Sequence, residues 1–119
     1  MKIENVDLPC MCKYYIAERY IDLLKGSLLH ADVIISGDIL HCNMKYDETI
    51  FYVLKTILDK TEKITIGDML KYEYELDIGS GSEGHIFTFY FHQETPVRCS
   101  LHSVYSDEDK IKMDFGIIS

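Results

Sequence analysis

The sequence has no uninterrupted apolar run near 18 residues, the length that a helix needs to cross a bilayer. Its first seven residues lack the charged and then apolar layout of a secretory signal peptide. We therefore expect a cytoplasmic protein. Basic residues are also few, since 12 Lys and Arg stand against 20 Asp and Glu, for a formal net charge of −8. That balance argues against nucleic acid and anionic membranes as partners, because both attract basic surfaces.

Motifs of the common catalytic and cofactor-binding sites give no support for an enzyme either. The chain contains no G-x-S-x-G and no G-x-x-x-x-G-K-[ST]. Residues 79–84 have the spacing G-x-G-x-x-G, but they lead into a predicted strand, whereas a phosphate-binding loop leads into the N-terminus of a helix. Its five histidines, none of which falls in H-E-x-x-H or H-x-x-x-H, are His30, His41, His85, His92 and His102. The sequence therefore predicts no cofactor and favours a protein that is not an enzyme.

The four cysteines, Cys10, Cys12, Cys42 and Cys99, include no C-x-x-C pair. In a cytoplasmic chain such residues are expected to be free thiols. Cys10 and Cys12 could supply four metal ligands together with His41 and Cys42. Structural zinc sites usually have two ligand pairs at close spacing, however, and only one close cysteine pair is present. We expect thiols without a metal ion, and the four-ligand set remains the alternative.

The 119 residues and the apolar content of 47% suit a folded chain and exclude a disordered one. We expect a single α+β domain over residues 1–119, in which two helices pack on one face of a mainly antiparallel sheet. A C-terminal four-strand meander is predicted to form most of that sheet.

The first predicted helix spans residues 12–25. Its apolar face, at helical spacing, is Cys12, Ile16, Tyr20, Leu23 and Leu24. Pro9 suits the first turn of a helix, and Gly26 suits the position just after its C-terminal end. Residues 33–35 and 39–44 then read as two short strands, because Ser36-Gly37-Asp38 between them is typical of a turn.

The second predicted helix starts after Asp47, which is a good N-cap residue, and ends near Lys60. Its apolar positions repeat at i, i+3, i+4, i+7 and i+8 and are Ile50, Val53, Leu54, Ile57 and Leu58, with Phe51 beside them. This stripe predicts a helix face that packs on the core. Residues 61–70 fit a strand or a helical turn equally well.

The last fifty residues alternate apolar and polar side chains, which predicts four antiparallel strands joined by short loops. The apolar series are Tyr72, Tyr74, Leu76 and Ile78; Phe87, Phe89 and Phe91; Val97, Cys99, Leu101, Ser103 and Tyr105; and Ile111, Met113, Phe115 and Ile117. The glycine-rich stretch 79–84 is predicted to be a hairpin loop, because it leads into a strand and carries Glu83.

The predicted facing pairs are Leu76 with Phe87, Phe91 with Cys99, and Leu101 with Phe115. This register places four residues in one row of the polar face, namely Glu75, Thr88, His102 and Asp114. A histidine beside a carboxylate can exchange protons, so a small enzyme that uses His102 with Asp114 or Glu75 is one alternative function. A cross-strand pair that only stabilises the sheet is the other interpretation.

A protein-binding role fits the charge distribution better. Residues 61–119 hold eleven acidic and five basic side chains, for a net charge of −6. Carboxylates and aromatic groups on a rigid sheet make good interface anchors. The predicted partner-binding residues are Glu73, Glu75, Asp77, Tyr90, His92, His102, Asp107, Glu108 and Asp109.

In size, charge and expected architecture the chain resembles the small acidic immunity proteins that bacteria produce together with basic toxins, which are often nucleases. The resemblance rests on no motif and on no aligned residues, so it assigns no site. It implies an inhibitor that neutralises a basic toxin by direct binding. A phage-type inhibitor that mimics nucleic acid and an adaptor subunit are further alternatives.

Overall fold

The computed structural model describes residues 1–8, 16–62 and 86–118. Its elements in chain order are β1 (Ile3–Asp7), α1 (Glu18–Leu28), β2 (Asp32–Ser36), β3 (Ile39–Lys45), α2 (Glu48–Glu62), β4 (Ile86–Phe91), β5 (Val97–Asp107) and β6 (Lys110–Ile117). The described strands form an antiparallel sheet in the order β1-β4-β5-β6-β3-β2. The helices contact each other, and α2 also contacts β5. The predicted α+β fold is therefore confirmed. Neither α1 nor α2 has the length and apolar character needed to cross a membrane.

The sheet curls so far that its two edge strands approach each other. The Met1 nitrogen donates a hydrogen bond to the Val33 carbonyl at 3.2 Å, and Lys2 Nζ lies 3.4 Å from Asp32 Oδ1. The inner face of the curl encloses the core, which the helices cover. The side that points away from the core is called the outer face below; among its residues are Ile34, His41, Thr88, Tyr90, Arg98, Ser100, Lys112, Asp114 and Gly116.

Three phenylalanines form the centre of the core. Phe87, Phe89 and Phe115 are completely buried. The ring of Phe115 meets the rings of Phe87 and Phe89 edge-on, each with 5.1 Å between the ring centroids. Edge-to-face contacts of this kind stabilise a core beyond the burial of apolar area. The alternation along β4 and β6 predicted all three as inward residues, and this prediction is confirmed.

Helix α2 forms as its sequence predicts. Asp47 Oδ1 accepts a hydrogen bond from the Ile50 nitrogen at 3.0 Å, which is the contact of an N-cap residue. Ile50, Val53, Leu54 and Ile57 are buried, and Phe51 and Leu58 pack against the core from its margin. The helix extends to Glu62, two residues beyond the predicted end.

Helix α1 differs from its prediction at both ends. Ala17 has an extended ψ of 142°, so the helix begins at Glu18. Gly26 lies inside the helix, and the prediction that it follows the helix is wrong. The helix continues because Leu28 is completely buried, and burying a leucine gains more than an internal glycine costs. Leu23, predicted to face the core, is 45% exposed.

The hairpin of β2 and β3 is confirmed. Ser36 faces Ile39, so Gly37 and Asp38 form a two-residue loop. Gly37 has a φ of +63°, a left-handed conformation that glycine adopts without strain.

Strand β1 was not predicted from the sequence. A bulge between Ile3 and Asn5 places Ile3 and Val6 on the inner face at a spacing of three residues, so the period of two is broken. Strand β1 pairs with β4 on the side opposite β5. The predicted strand at residues 72–78, the loop at 79–84 and the pair of Leu76 with Phe87 lie outside the described residues, as do Cys12 and residues 63–70.

The register of β5 with β6 is confirmed at Leu101, which faces Phe115. The predicted pair of Phe91 with Cys99 is wrong, because Phe87 faces Cys99 and Phe91 faces Ile3 of β1. Such a slip by an even number of residues leaves the same side chains inward, so the pattern of burial could not reveal it.

Replacing Leu54 by alanine tests the packing of α2. Leu54 is completely buried, so we expect Leu54→Ala to lower the free energy of unfolding by about 2–5 kcal/mol. Tyr52 on the same helix is 73% exposed, and Tyr52→Ala should change stability by less than about 0.5 kcal/mol. Urea denaturation measures both variants. A loss below about 0.5 kcal/mol for Leu54→Ala would contradict the assigned helix face.

Gly26 offers a test of the position of α1. A Cβ added at Gly26 would meet no atom within 4 Å. We expect Gly26→Ala to raise the free energy of unfolding by about 0.5–1 kcal/mol, because alanine restricts the unfolded chain and favours helix. Gly37→Ala is the matched control and should destabilise the protein, because its φ is +63°. Equal effects of the two substitutions in thermal denaturation would refute the helical position of Gly26.

Candidate functional site

The outer face carries two groups of polar side chains. We call the first the acidic edge; it consists of Glu4 and Asp7 from β1, Tyr90 from β4, and His92 just after β4. We call the second the histidine cluster; it consists of His41 on β3, Ser100, His102 and Ser103 on β5, and Asp114 on β6.

The acidic edge contains two hydrogen-bonded pairs. His92 Nδ1 lies 2.9 Å from Glu4 Oε1, and the Tyr90 hydroxyl donates to Asp7 Oδ2 at 2.8 Å. The side chains of His92 and Glu4 are 74% and 54% exposed. The hydrogen bond to Asp7 raises the pKa of Tyr90, with smaller contributions from desolvation and from the charge of Asp7. Tyr90 therefore stays protonated and keeps donating to the carboxylate.

The pairing of β1 with β4 positions these groups. Asn5 faces Tyr90 and Asp7 faces Thr88, which brings the Asp7 carboxylate within reach of the tyrosine hydroxyl. Glu4 is the extra residue of the bulge, and it reaches His92 beyond the end of β4. Sequence reasoning named Tyr90 and His92 but missed Glu4 and Asp7, because the bulge hides the strand that holds them.

A second bulge, in β5, positions Ser103 in the histidine cluster, where His41 already faces Asp114 across β3 and β6. Leu101 faces Phe115 and Ser103 faces Asp114, so His102 has no opposite residue. After this bulge Val104 is the buried residue and Tyr105 is exposed, so the predicted inward positions of Ser103 and Tyr105 are wrong. The extra residue thus turns Ser103 toward the outer face, beside Asp114.

Asp114 binds a partner on each side. His41 Nδ1 lies 2.6 Å from Asp114 Oδ1, and the Ser103 hydroxyl donates to Asp114 Oδ2 at 3.3 Å. The His41 and Asp114 side chains are only partly buried. A carboxylate at Nδ1 orients an imidazole so that Nε2 can accept a proton, which is the arrangement of a general base.

His102 has a different partner from the predicted one. Its Nε2 lies 3.0 Å from the Ser100 hydroxyl oxygen, while Asp114 pairs with His41. The predicted row of Thr88 with His102 is also wrong, because Thr88 faces Arg98. The alternative partner of His102, Glu75, lies outside the described residues. The cluster is open to solvent, whereas catalytic sites usually exclude water.

Gly116 makes room for His102. A Cβ at Gly116 would overlap the imidazole ring and would lie 2.8 Å from Nε2. Glycine in a strand often marks such a close approach.

The acidic turn between β5 and β6 lies far from the acidic edge. Asp107 is the last residue of β5, and Glu108 and Asp109 follow it. Tyr90 and His92 lie near the start of β5, about 30 Å away along the strand. Three lysines lie close to this turn and offset part of its negative charge. Lys112 Nζ lies 2.9 Å from Asp107 Oδ2, and Lys45 faces Lys110. Among the predicted partner-binding residues that the structure describes, Tyr90 and His92 therefore lie far from residues 107–109. Glu73, Glu75 and Asp77 lie outside the described part of the chain.

Two of the cysteines are free thiols in the core. Cys42 and Cys99 are completely buried, and burial raises the pKa of each thiol to about 12. Cys42 points to the inner face while the ring of His41 points outward to Asp114, so these two residues cannot bind one metal ion together. Cys10 and Cys12 lie outside the described residues. Within residues 1–8, 16–62 and 86–118, no three His, Cys, Asp or Glu side chains are arranged to hold a metal ion.

Adding a methyl group at position 116 tests the placement of His102. We expect Gly116→Ala to push the imidazole away from Ser100 and to cost at most about 1 kcal/mol, because an exposed ring can move. The ring protons of His102 in NMR spectra report the change. Ser100→Ala, which removes the hydrogen bond without a clash, is the control. Unchanged His102 signals in Gly116→Ala would show that the ring does not lie over Gly116.

Comparisons with protein-family models, with curated proteins and with solved structures gave no match. A function must therefore be inferred from the geometry and charge of the chain itself.

Proposed function

We propose that this chain is a protein-binding module that inhibits a basic partner by direct contact, and that the acidic edge is part of its binding surface. The observation that carries the proposal is the pairing of Glu4 with His92 and of Asp7 with Tyr90 on an exposed part of the outer face. A toxin-like protein with a basic binding surface is the partner that this chemistry fits.

The two carboxylates are oriented before a partner arrives. Each uses one oxygen in the contact with its neighbour on or after β4. A carboxylate held in this way loses less conformational freedom when it binds a Lys or Arg side chain. Charge-assisted hydrogen bonds to such cations are stronger than those between neutral groups. Tyr90 adds a rigid aromatic group of the kind that anchors many interfaces.

The net charge of −8 supports the same proposal through the rate of association. A strongly charged protein attracts an oppositely charged partner over several ångströms and speeds their encounter. The acidic turn at residues 107–109 contributes less to this proposal, because Lys45, Lys110 and Lys112 lie beside it.

An inhibitory role is supported by the resemblance of the chain to acidic immunity proteins in size and charge. Inhibition follows if the partner needs the same cationic residues for its own activity, as a nuclease does when it binds phosphate groups. A nucleic-acid mimic from a phage would use the same carboxylates against a host nuclease.

Reversing the charge of the acidic edge tests the proposal. The tagged protein is used to capture its partner from the source cells, and the purified partner is then studied by surface plasmon resonance. We expect the Glu4→Lys/Asp7→Lys variant to associate at least about tenfold more slowly at low salt, and we expect wild-type association to slow steeply as salt is added. The partner's activity, measured with each variant, should be restored by the same double substitution.

The control variant is Asp22→Lys/Asp38→Lys, which changes the net charge equally at exposed positions on α1 and in the β2–β3 loop. It should retain most of the wild-type association rate. Circular dichroism should show that both double variants are folded. If both variants associate equally slowly, the net charge of the chain and not the position of the acidic edge causes the effect. If Glu4→Lys/Asp7→Lys binds with full affinity, the acidic edge is not the contact surface.

A further inference from the structure

We propose that binding of a basic partner at the acidic edge is coupled to the loss of a proton from His92, so that the contact weakens as the pH falls from 8 to 5.5. This inference rests on the proposed function and specifies how the same surface is regulated. Its structural basis is the 2.9 Å contact of His92 Nδ1 with Glu4 Oε1.

A protonated His92 and a partner's Lys or Arg would compete for one carboxylate. The imidazolium ion neutralises Glu4 and also repels an approaching cation. A neutral imidazole that carries its proton on Nδ1 still donates a hydrogen bond to Glu4. Loss of the second proton therefore removes the positive charge and keeps the carboxylate oriented for the partner.

The charge balance at the acidic edge makes this single proton important. Glu4, Asp7 and His92 together carry a formal charge of −2 when the imidazole is neutral and −1 when it is protonated. Histidine is the side chain whose ordinary titration falls between pH 5 and 8. Tyr90 does not titrate in that range, because an ordinary tyrosine loses its proton only near pH 10 and the hydrogen bond to Asp7 raises the pKa of Tyr90 further.

The other charged groups named here, which lie near His92 or at the start of β1, do not supply the change of charge that the proton of His92 supplies. On β1 the facing group is Glu4, and next to that pair lies Asp7 with Tyr90. Glu94 follows two residues later in the turn after β4, where it adds negative charge. Lys2, which precedes β1, is directed to Asp32 at 3.4 Å.

The first test needs no natural partner and uses a capped hexalysine peptide as the probe. NMR titrations of the full chain at pH 8.0 and pH 5.5 follow the backbone signals of Glu4 and Asp7. We expect the peptide to bind wild type about three- to tenfold more weakly at pH 5.5, since one linked proton changes affinity by at most tenfold per pH unit. His92→Gln should lose most of this pH dependence, which is judged from the ratio of its own affinities at pH 8.0 and pH 5.5.

His30→Gln is the matched control, because His30 is exposed in the turn after α1 and is not a residue of the acidic edge. It should keep the wild-type pH dependence. The second test is calorimetry of the captured basic partner at pH 6 in two buffers of different ionisation enthalpy. Wild type should release a proton on binding, and His92→Gln should release less.

The outcomes separate the two proposals. Equal pH dependence of wild type and His92→Gln would overturn the role of His92 and would leave the acidic edge as the binding surface. Absence of any change at Glu4 and Asp7 with hexalysine at pH 8.0, together with unaltered partner binding by Glu4→Lys/Asp7→Lys, would overturn the proposed function. A proton release that persists in His92→Gln would assign the coupling to another group.

Discussion

Burial of Phe87, Phe89 and Phe115 between the curled sheet and the helices determines which side of each strand faces water. Once these rings are inside, every second side chain on β4 and β6 must point outward, because successive side chains of a strand alternate. The polar groups of the outer face are therefore placed by the aromatic core and not by contacts among themselves. This explains how a partly exposed pair such as His41 with Asp114 can be held in position although such pairs contribute little to stability.

The bulges modify this rule at the two places where polar side chains collect. At Glu4 and at His102 one extra residue shifts the alternation. The first shift brings Glu4 to His92, and the second turns Ser103 toward Asp114. Bulges in antiparallel sheets often redirect side chains near functional sites. Asp114 pairs with His41 because the two residues face each other across β3 and β6, and the bulge in β5 leaves His102 without an opposite residue.

Much of the fold could be predicted because it follows from local periodicity. The stripe on α2, the cap at Asp47 and the turn at Gly37 each depend on residues within one element. The acidic edge could not be predicted in full, since Glu4 and Asp7 lie on a strand whose bulge removes the period of two. The slip that pairs Phe87 with Cys99 was also hidden, because inward residues remain inward after an even shift. The extension of α1 past Gly26 depended on the burial of Leu28, a tertiary effect that helix propensity does not contain.

The approach of the two sheet edges has a consequence for self-association. An edge strand with unpaired backbone groups can recruit a strand from another molecule, and β2 has exposed apolar side chains at Ile34 and Ile35. The Met1 nitrogen already occupies the Val33 carbonyl, and the charged pair of Lys2 with Asp32 lies beside it. An incoming strand would have to displace these contacts before it could pair along β2. The curl of the sheet thus shortens the stretch of edge that is open to aggregation, next to the exposed isoleucines of β2.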